Sequence, residues 1–173
     1  MINIVLFQPE IPQNTGNIIR TAMAIGGRLH LIKPLGFSLE EKSLLRASMD
    51  YIKEVEIIQY DSYEDFLIKN PNITIYYVTR YANKSYSEYD LSDPSEDYYF
   101  MFGRESSGIP HDILREHKDH LMRIPMAINA RSLNLSNSVS IVVYEALRQQ
   151  DFYGLSTFET IKGEEFLEEE NKK

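Results

Sequence analysis

Three polar loops carry the residues of this chain whose types and spacing suit chemistry. In the first, residues 8–20 (QPEIPQNTGNIIR), two prolines stop a preceding strand, since proline cannot donate to a ladder. Thr15 is placed to cap a helix whose apolar face is Ile18, Ile19, Ala22 and Met23. Asn17 and Arg20 lie three apart and share the other face near the helix start. A guanidinium beside free backbone N–H groups makes a phosphate site. It also opposes the helix dipole there, a local cost that points to function over a surface Arg without a role.

The second loop, residues 102–110 (FGRESSGIP), brackets a turn with Gly103 and Gly108, which allow positive φ and close approach of backbone to a ligand. Its spacing supplies neither the G-x-S-x-G of a nucleophile elbow nor a phosphate-binding glycine fingerprint. The third begins at residues 123–126 (RIPM), whose extended Ile-Pro segment offers backbone groups to the edge of a purine-like ring. It continues into 131–149 (RSLNLSNSVSIVVYEALRQ), polar in its first half and amphipathic in its second. Val139, Val142, Val143, Ala146 and Leu147 recur at the spacing of one buried helix face, with Ser136 or Asn137 as N-cap. Each loop alone also admits an ordinary structural explanation.

The elements that must position these loops alternate. Strands are expected at 2–7, 29–32, 55–59, 73–79, 98–102 and 122–124, and helices at 16–25, 39–47, 63–69, 111–116 and 137–150. That alternation predicts an α/β fold, a mostly parallel sheet with helices on both faces. All three loops then follow strands, at the sheet edge where such folds bind ligands. Residues 81–96 read as a long polar loop. Tyr76, Tyr77, Tyr98 and Tyr99 suit a sheet core or an interface.

Composition bounds the function. The chain has 173 residues, 43% apolar and 25% charged, which describes a globular protein of one domain. We divide it into a domain over 1–153 and an acidic tail over 154–173. Cysteine is absent, so disulfides and thiolate metal sites are excluded. His111, His117 and His120 cluster without the acidic partners of a metal site, so no metal is expected. The first residues, MINIVLFQPE, read as a strand and not as a signal peptide, and no apolar run spans a membrane, which predicts a cytoplasmic protein. The net charge is −8; six Glu and three Lys from Glu159 onward account for −3 of it, leaving −5. Binding follows the local field, so Arg20, Arg28, Lys33, Lys42, Arg46, Arg104, Arg123 and Arg131 could still form one basic surface, or simply be scattered.

Taken together, residues 11–20, 102–110, and 123–126 with 132–140 resemble, in order, the three motifs of the SPOUT superfamily of knotted RNA methyltransferases. The resemblance runs from Met1 to about Gln150, and the chain is similar to the minimal branch without an added RNA-binding domain. It implies a deep trefoil knot in the C-terminal part and S-adenosylmethionine as methyl donor, held by Val78, Thr79, Gly103, Ile124, Ser132 and Leu133. It implies that Arg20 is catalytic with Asn14 as its positioning partner, and that Glu105 and Asn134 support them. It further implies a homodimer and methylation of the ribose 2′-hydroxyl at the wobble nucleotide, cytidine or uridine 34, in a tRNA anticodon loop. Another tRNA or rRNA site, or a non-catalytic RNA- or nucleotide-binding module on the same fold, are the alternatives.

Overall fold

The computed structural model describes residues 1–163 and 166–167. Six parallel strands form one sheet in the order β3-β2-β1-β5-β4-β6: β1 (Ile2–Phe7), β2 (Arg28–Ile32), β3 (Ile57–Tyr60), β4 (Ile75–Val78), β5 (Tyr98–Phe102) and β6 (Leu121–Met122). The central strands β1 and β5 are buried along their whole length, which is why INIVLF and YYFMF read as continuous apolar runs and not as alternating ones.

Helices cover both faces. On one, α1 (Pro12–Ile25), α2 (Lys42–Ser48) and α5 (Leu135–Gln149) pack over Ile2, Ile4, Leu6, Leu29, Phe100 and Phe102. On the other, α3 (Tyr63–Lys69) and α4 (His111–Glu116) bring Phe66 and Leu114 against Val5, Phe7, Tyr77 and Met101. All five expected apolar positions of α5 are buried. On α1, Ile18, Ile19 and Ala22 are buried, but Met23 is 36% exposed and stands at the margin of the face. Gly16 lets α1 and α2 touch: a Cβ there would lie 2.6 Å from Ala47 Cβ and 2.7 Å from the Leu44 carbonyl oxygen.

Three helix starts differ from expectation, that of α2 by falling at Lys42 and not at Leu39. α1 begins at Pro12 and not at Gly16, because proline's missing N–H and fixed φ suit the first helical turn. Thr15 therefore lies inside the helix, fully buried, and does not cap it. Arg20 consequently sits past the middle of α1 and not near its start. α5 is capped by Asn134, whose side chain accepts from the N–H groups of Ser136 and Asn137, the two residues expected to cap it.

The strand order reverses between β1 and β5. From β1 the chain moves outward through β2 and β3; β4 then opens the opposite side, and β5 fills the gap. Leu6 pairs with Phe102, so the loops after these strands diverge from neighbouring ends, where open α/β sheets leave a crevice. The loop after β4 forms a strap. Tyr86 N–H donates to the Arg123 carbonyl at 2.9 Å and Arg123 N–H to that of Lys84 at 2.9 Å. Further on, Leu91 N–H donates to Gln149 Oε1 at 2.8 Å and Gln150 Nε2 to the Leu91 carbonyl at 2.8 Å. The strap thus holds both the segment after β6 and the end of α5. Beyond α5, Phe152 and Leu155 still pack on the core, whereas Ile161 is 93% exposed. The expected tail falls partly outside the described residues. Among the described residues no helix is long and apolar enough to cross a membrane.

Candidate active site

The three loops converge on one cavity of about 790 Å³ at the carboxyl ends of β4, β5 and β6. Val78, Thr79, Gly103, Ile124, Ser132 and Leu133 all line it, as do Asn14, Glu105 and Asn134. Thr79 N–H donates to the Met122 carbonyl at 3.0 Å, which continues the β4–β6 ladder to the cavity wall. Val78, Ile124 and Leu133 supply apolar surface, and the hydroxyls and backbone groups of the loops supply polar edges. This is the usual make-up of a small-molecule site.

Glu105 holds the first two loops together. Its Oε2 accepts from the backbone N–H of Glu10 at 2.8 Å, and its Oε1 accepts from Ile11 N–H and Asn14 Nδ2, each at 3.1 Å. The carboxylate stands before α1, where the helix dipole and the free N–H groups favour an anion. The anion at that helix start is thus the chain's own. In return the Glu10 carboxylate accepts from Ser106 N–H at 2.9 Å and Ser106 Oγ at 2.8 Å. The Ser106 N–H, and then its hydroxyl, hold the Glu10 carboxyl below its usual range. Arg104 donates to Gln8 Oε1, a third tie between the same loops. The turn itself closes with paired backbone bonds between Arg104 and Gly108, at 2.9 and 3.2 Å. A Cβ on Gly103 would lie 2.1 Å from the Gly108 carbonyl carbon and 2.2 Å from Ile109 N, so only glycine fits.

Arg20 stands apart. It does not line the cavity, it is exposed on α1, and among the described residues its side chain makes no hydrogen bond or ion pair. Beside it, Thr21 Oγ1 lies 3.3 Å from Ser140 Oγ, where α1 runs along α5. Of the basic residues singled out in the sequence, Arg104 and Arg131 reach the cavity wall. Arg28 pairs with Glu56 at 2.6 Å and Lys33 with Asp61 at 3.1 Å, both away from it. Two lining residues carried no signal, Arg80 and Tyr81 just beyond β4, whereas Met126 and Ser138 lie within the third loop's segments singled out above. The position of Arg80, two residues beyond a strand that ends at the binding edge, is the clue that would have found it.

A model of the SpoU rRNA Methylase family matches residues 1–144, the stretch holding the whole sheet and all three loops. A Geobacillus stearothermophilus protein assigned as a tRNA (cytidine(34)-2′-O)-methyltransferase is 54% identical over 155 residues, covering 90% of this chain and 99% of its own. A structure solved for insight into 2-OH methylation of C/U34 on tRNA is 40% identical with a TM-score of 0.81, over 88% of this chain and 97% of its own. An AdoMet-bound rRNA methyltransferase from Sinorhizobium meliloti is 27% identical with a TM-score of 0.75, over 85% of this chain and 56% of its own.

Proposed function

Because the chain belongs to the SpoU rRNA Methylase family, we propose that it is an S-adenosylmethionine-dependent RNA methyltransferase acting on the ribose 2′-hydroxyl of the wobble nucleotide, cytidine or uridine 34, of tRNA. The observation that carries this reading is the convergence of all six expected donor-binding residues, with Asn14, Glu105 and Asn134, on one cavity at the carboxyl ends of β4, β5 and β6. The relative at 54% identity and the neighbour at TM-score 0.81 support the wobble position.

The residues present fit the methyl donor. Gly103 lets the backbone of the turn approach where a Cβ would collide, and Val78, Ile124 and Leu133 form a slot for a flat heterocycle. When bound, S-adenosylmethionine supplies an electrophilic methyl group on a sulfonium. A ribose hydroxyl is a poor nucleophile at neutral pH, so the protein must align it in line with that methyl and stabilise charge as its proton leaves. The Arg20 guanidinium has the planar donor geometry for an anionic group. It clamps a substrate phosphate and stabilises the developing alkoxide. Asn14 positions the start of α1 for this task.

The chain works in the cytoplasm as a homodimer. What supports the dimer is the separation of Arg20 from its own cavity, so that the parts of one site need not all come from one copy. The C-terminal segment forms a deep trefoil knot, a reading supported by membership of the SpoU rRNA Methylase family. Residues 1–153 form the methyltransferase domain, followed by the acidic tail.

Labelled S-adenosylmethionine and an unmodified tRNA pool test this reading. Label on the 2′-oxygen of nucleotide 34 is expected. Label at another nucleotide would move the target, and donor binding without transfer would favour a non-catalytic module.

A further inference from the structure

A second cavity, of about 830 Å³, opens beside the first and shares Tyr81 and His111 with it. Its floor is apolar and closed: Ala82, Tyr89, Leu114 and Leu121 are buried. Its rim carries the exposed cations Lys84, Arg115 and Lys118 against one acid, Asp119.

Some cations of this acidic chain are already neutralised. Arg28, Lys33, Lys69 and Arg148 each hold a carboxylate within 3.1 Å. At the rim, Arg115 pairs with Asp112 at 2.6 Å, but Lys84 and Lys118 form no ion pair among the described residues. Lys84 Nζ lies 3.8 Å over the Tyr89 ring, so the ammonium faces the hollow. Between the two cavities stands Tyr81, 58% exposed, with His111 edge-on at 5.0 Å and the Arg80 guanidinium at 5.8 Å. An apolar hollow with unpaired ammonium groups on its lip and an aromatic ring at its entrance suits a base with its phosphates. Single-stranded RNA offers unstacked bases in that form.

We propose that this second cavity binds a nucleotide of the RNA substrate that flanks the methylated one, its base on Tyr81 and the apolar floor and its phosphates at Lys84 and Lys118. The proposal rests on the reading of the first cavity as the methyl-transfer site. It extends that reading by giving the chain, which is acidic overall, a local cationic track for RNA.

The test compares the full chain with its K84A/K118A variant. Neither lysine lines the first cavity. Affinity for an unmodified tRNA transcript is measured over a salt series, with S-adenosylmethionine affinity as the control for folding. The variant is expected to bind tRNA on the order of tenfold more weakly at ~0.1 M salt. Two lost phosphate contacts should lower the log–log salt slope by about 1.4. KM for tRNA should rise while kcat and donor affinity stay within about twofold, and K84R/K118R should restore binding. Tyr81→Ala should weaken binding about fivefold or more with the slope unchanged, as loss of stacking does. Equal tRNA affinity and slope in K84A/K118A and the unmodified chain would overturn the proposal, and an acidic peptide as the true occupant would give that result. Tight binding with the methyl group found at another nucleotide would overturn the wobble assignment alone, because the affinity ratio still decides the cavity. A chain with no affinity for RNA would overturn both.

Discussion

Asn134 Nδ2 donates a 3.0 Å hydrogen bond to Asn14 Oδ1 and so joins the cap of α5 to the first turn of α1, 120 positions away. Asn14 spends its own amide on Glu105 at 3.1 Å, and Asn134 spends its oxygen on Ser136 N–H at 2.9 Å. Donor and acceptor are committed on both side chains, which fixes both amides. One chain of polar contacts, Asn134 to Asn14 to Glu105, therefore links the three loops that build the cavity.

That chain ends on a carboxylate facing three donors, so Glu105→Gln should be poorly tolerated. An amide would present an N–H₂ group where only acceptors fit. A loss of about 1–3 kcal/mol of stability is expected in urea titrations, with weaker donor binding. Unchanged stability would remove Glu105 from the latch.

The Arg20 side chain is exposed and forms no ion pair or hydrogen bond among the described residues, so removing it should leave the fold intact. Arg20→Ala should lower kcat by roughly a hundredfold or more, the usual effect of losing a charge stabiliser. Donor affinity by calorimetry should be unaltered. Near-normal turnover would exclude Arg20 from the chemistry.

Gly103→Ala forces a methyl group into the backbone of Gly108 and Ile109 at 2.1–2.2 Å. The turn must open to admit it. We expect about 1–3 kcal/mol of destabilisation and at least tenfold weaker donor binding. Wild-type donor affinity in this variant would mean that the turn does not shape the site.

Away from the site, His30 couples stability to pH. Nε2–H donates to Asn3 Oδ1 at 3.1 Å, and Nδ1 accepts from the Tyr60 hydroxyl at 2.8 Å, which itself accepts from Asn70 Nδ2 at 3.2 Å. The neutral ring satisfies every partner. Burial, and then the charge of Arg28, push its pKa from 6.5 down to about 4. The unfolded chain then binds more protons than the folded one between these values, so stability is complete above pH 6.5 and falls as pH drops toward 4. The loss should reach about 3 kcal/mol at most. Other carboxylates also titrate in this range, so the comparison is with His30→Gln, whose pH curve should be flatter by that amount. Parallel curves would refute the assignment.

Much of this was legible in the sequence because periodicity reports burial directly. The buried face of α5 and the continuous runs of β1 and β5 are local consequences of packing on one or both sides. Helix starts were less legible. Thr15 has the chemistry of a cap, but Pro12 already suits the first turn, and the anion that α1 favours comes from Glu105, more than 90 positions away. Gln149 looked like an ordinary polar helix residue; its role in holding the strap appears only once the loop after β4 lies against it. The second cavity was invisible for the same reason. Lys84 and Lys118 lie on segments that no pattern connects, and residues 81–96 announced only that they were polar.

The central claim is methyl transfer to the 2′-oxygen of nucleotide 34. The most direct measurement compares two synthetic tRNAs that differ only in the ribose or 2′-deoxyribose at that position, each incubated with the protein and labelled S-adenosylmethionine. The account predicts stoichiometric label on the ribose form and none on the deoxy form. Equal labelling of both would contradict it.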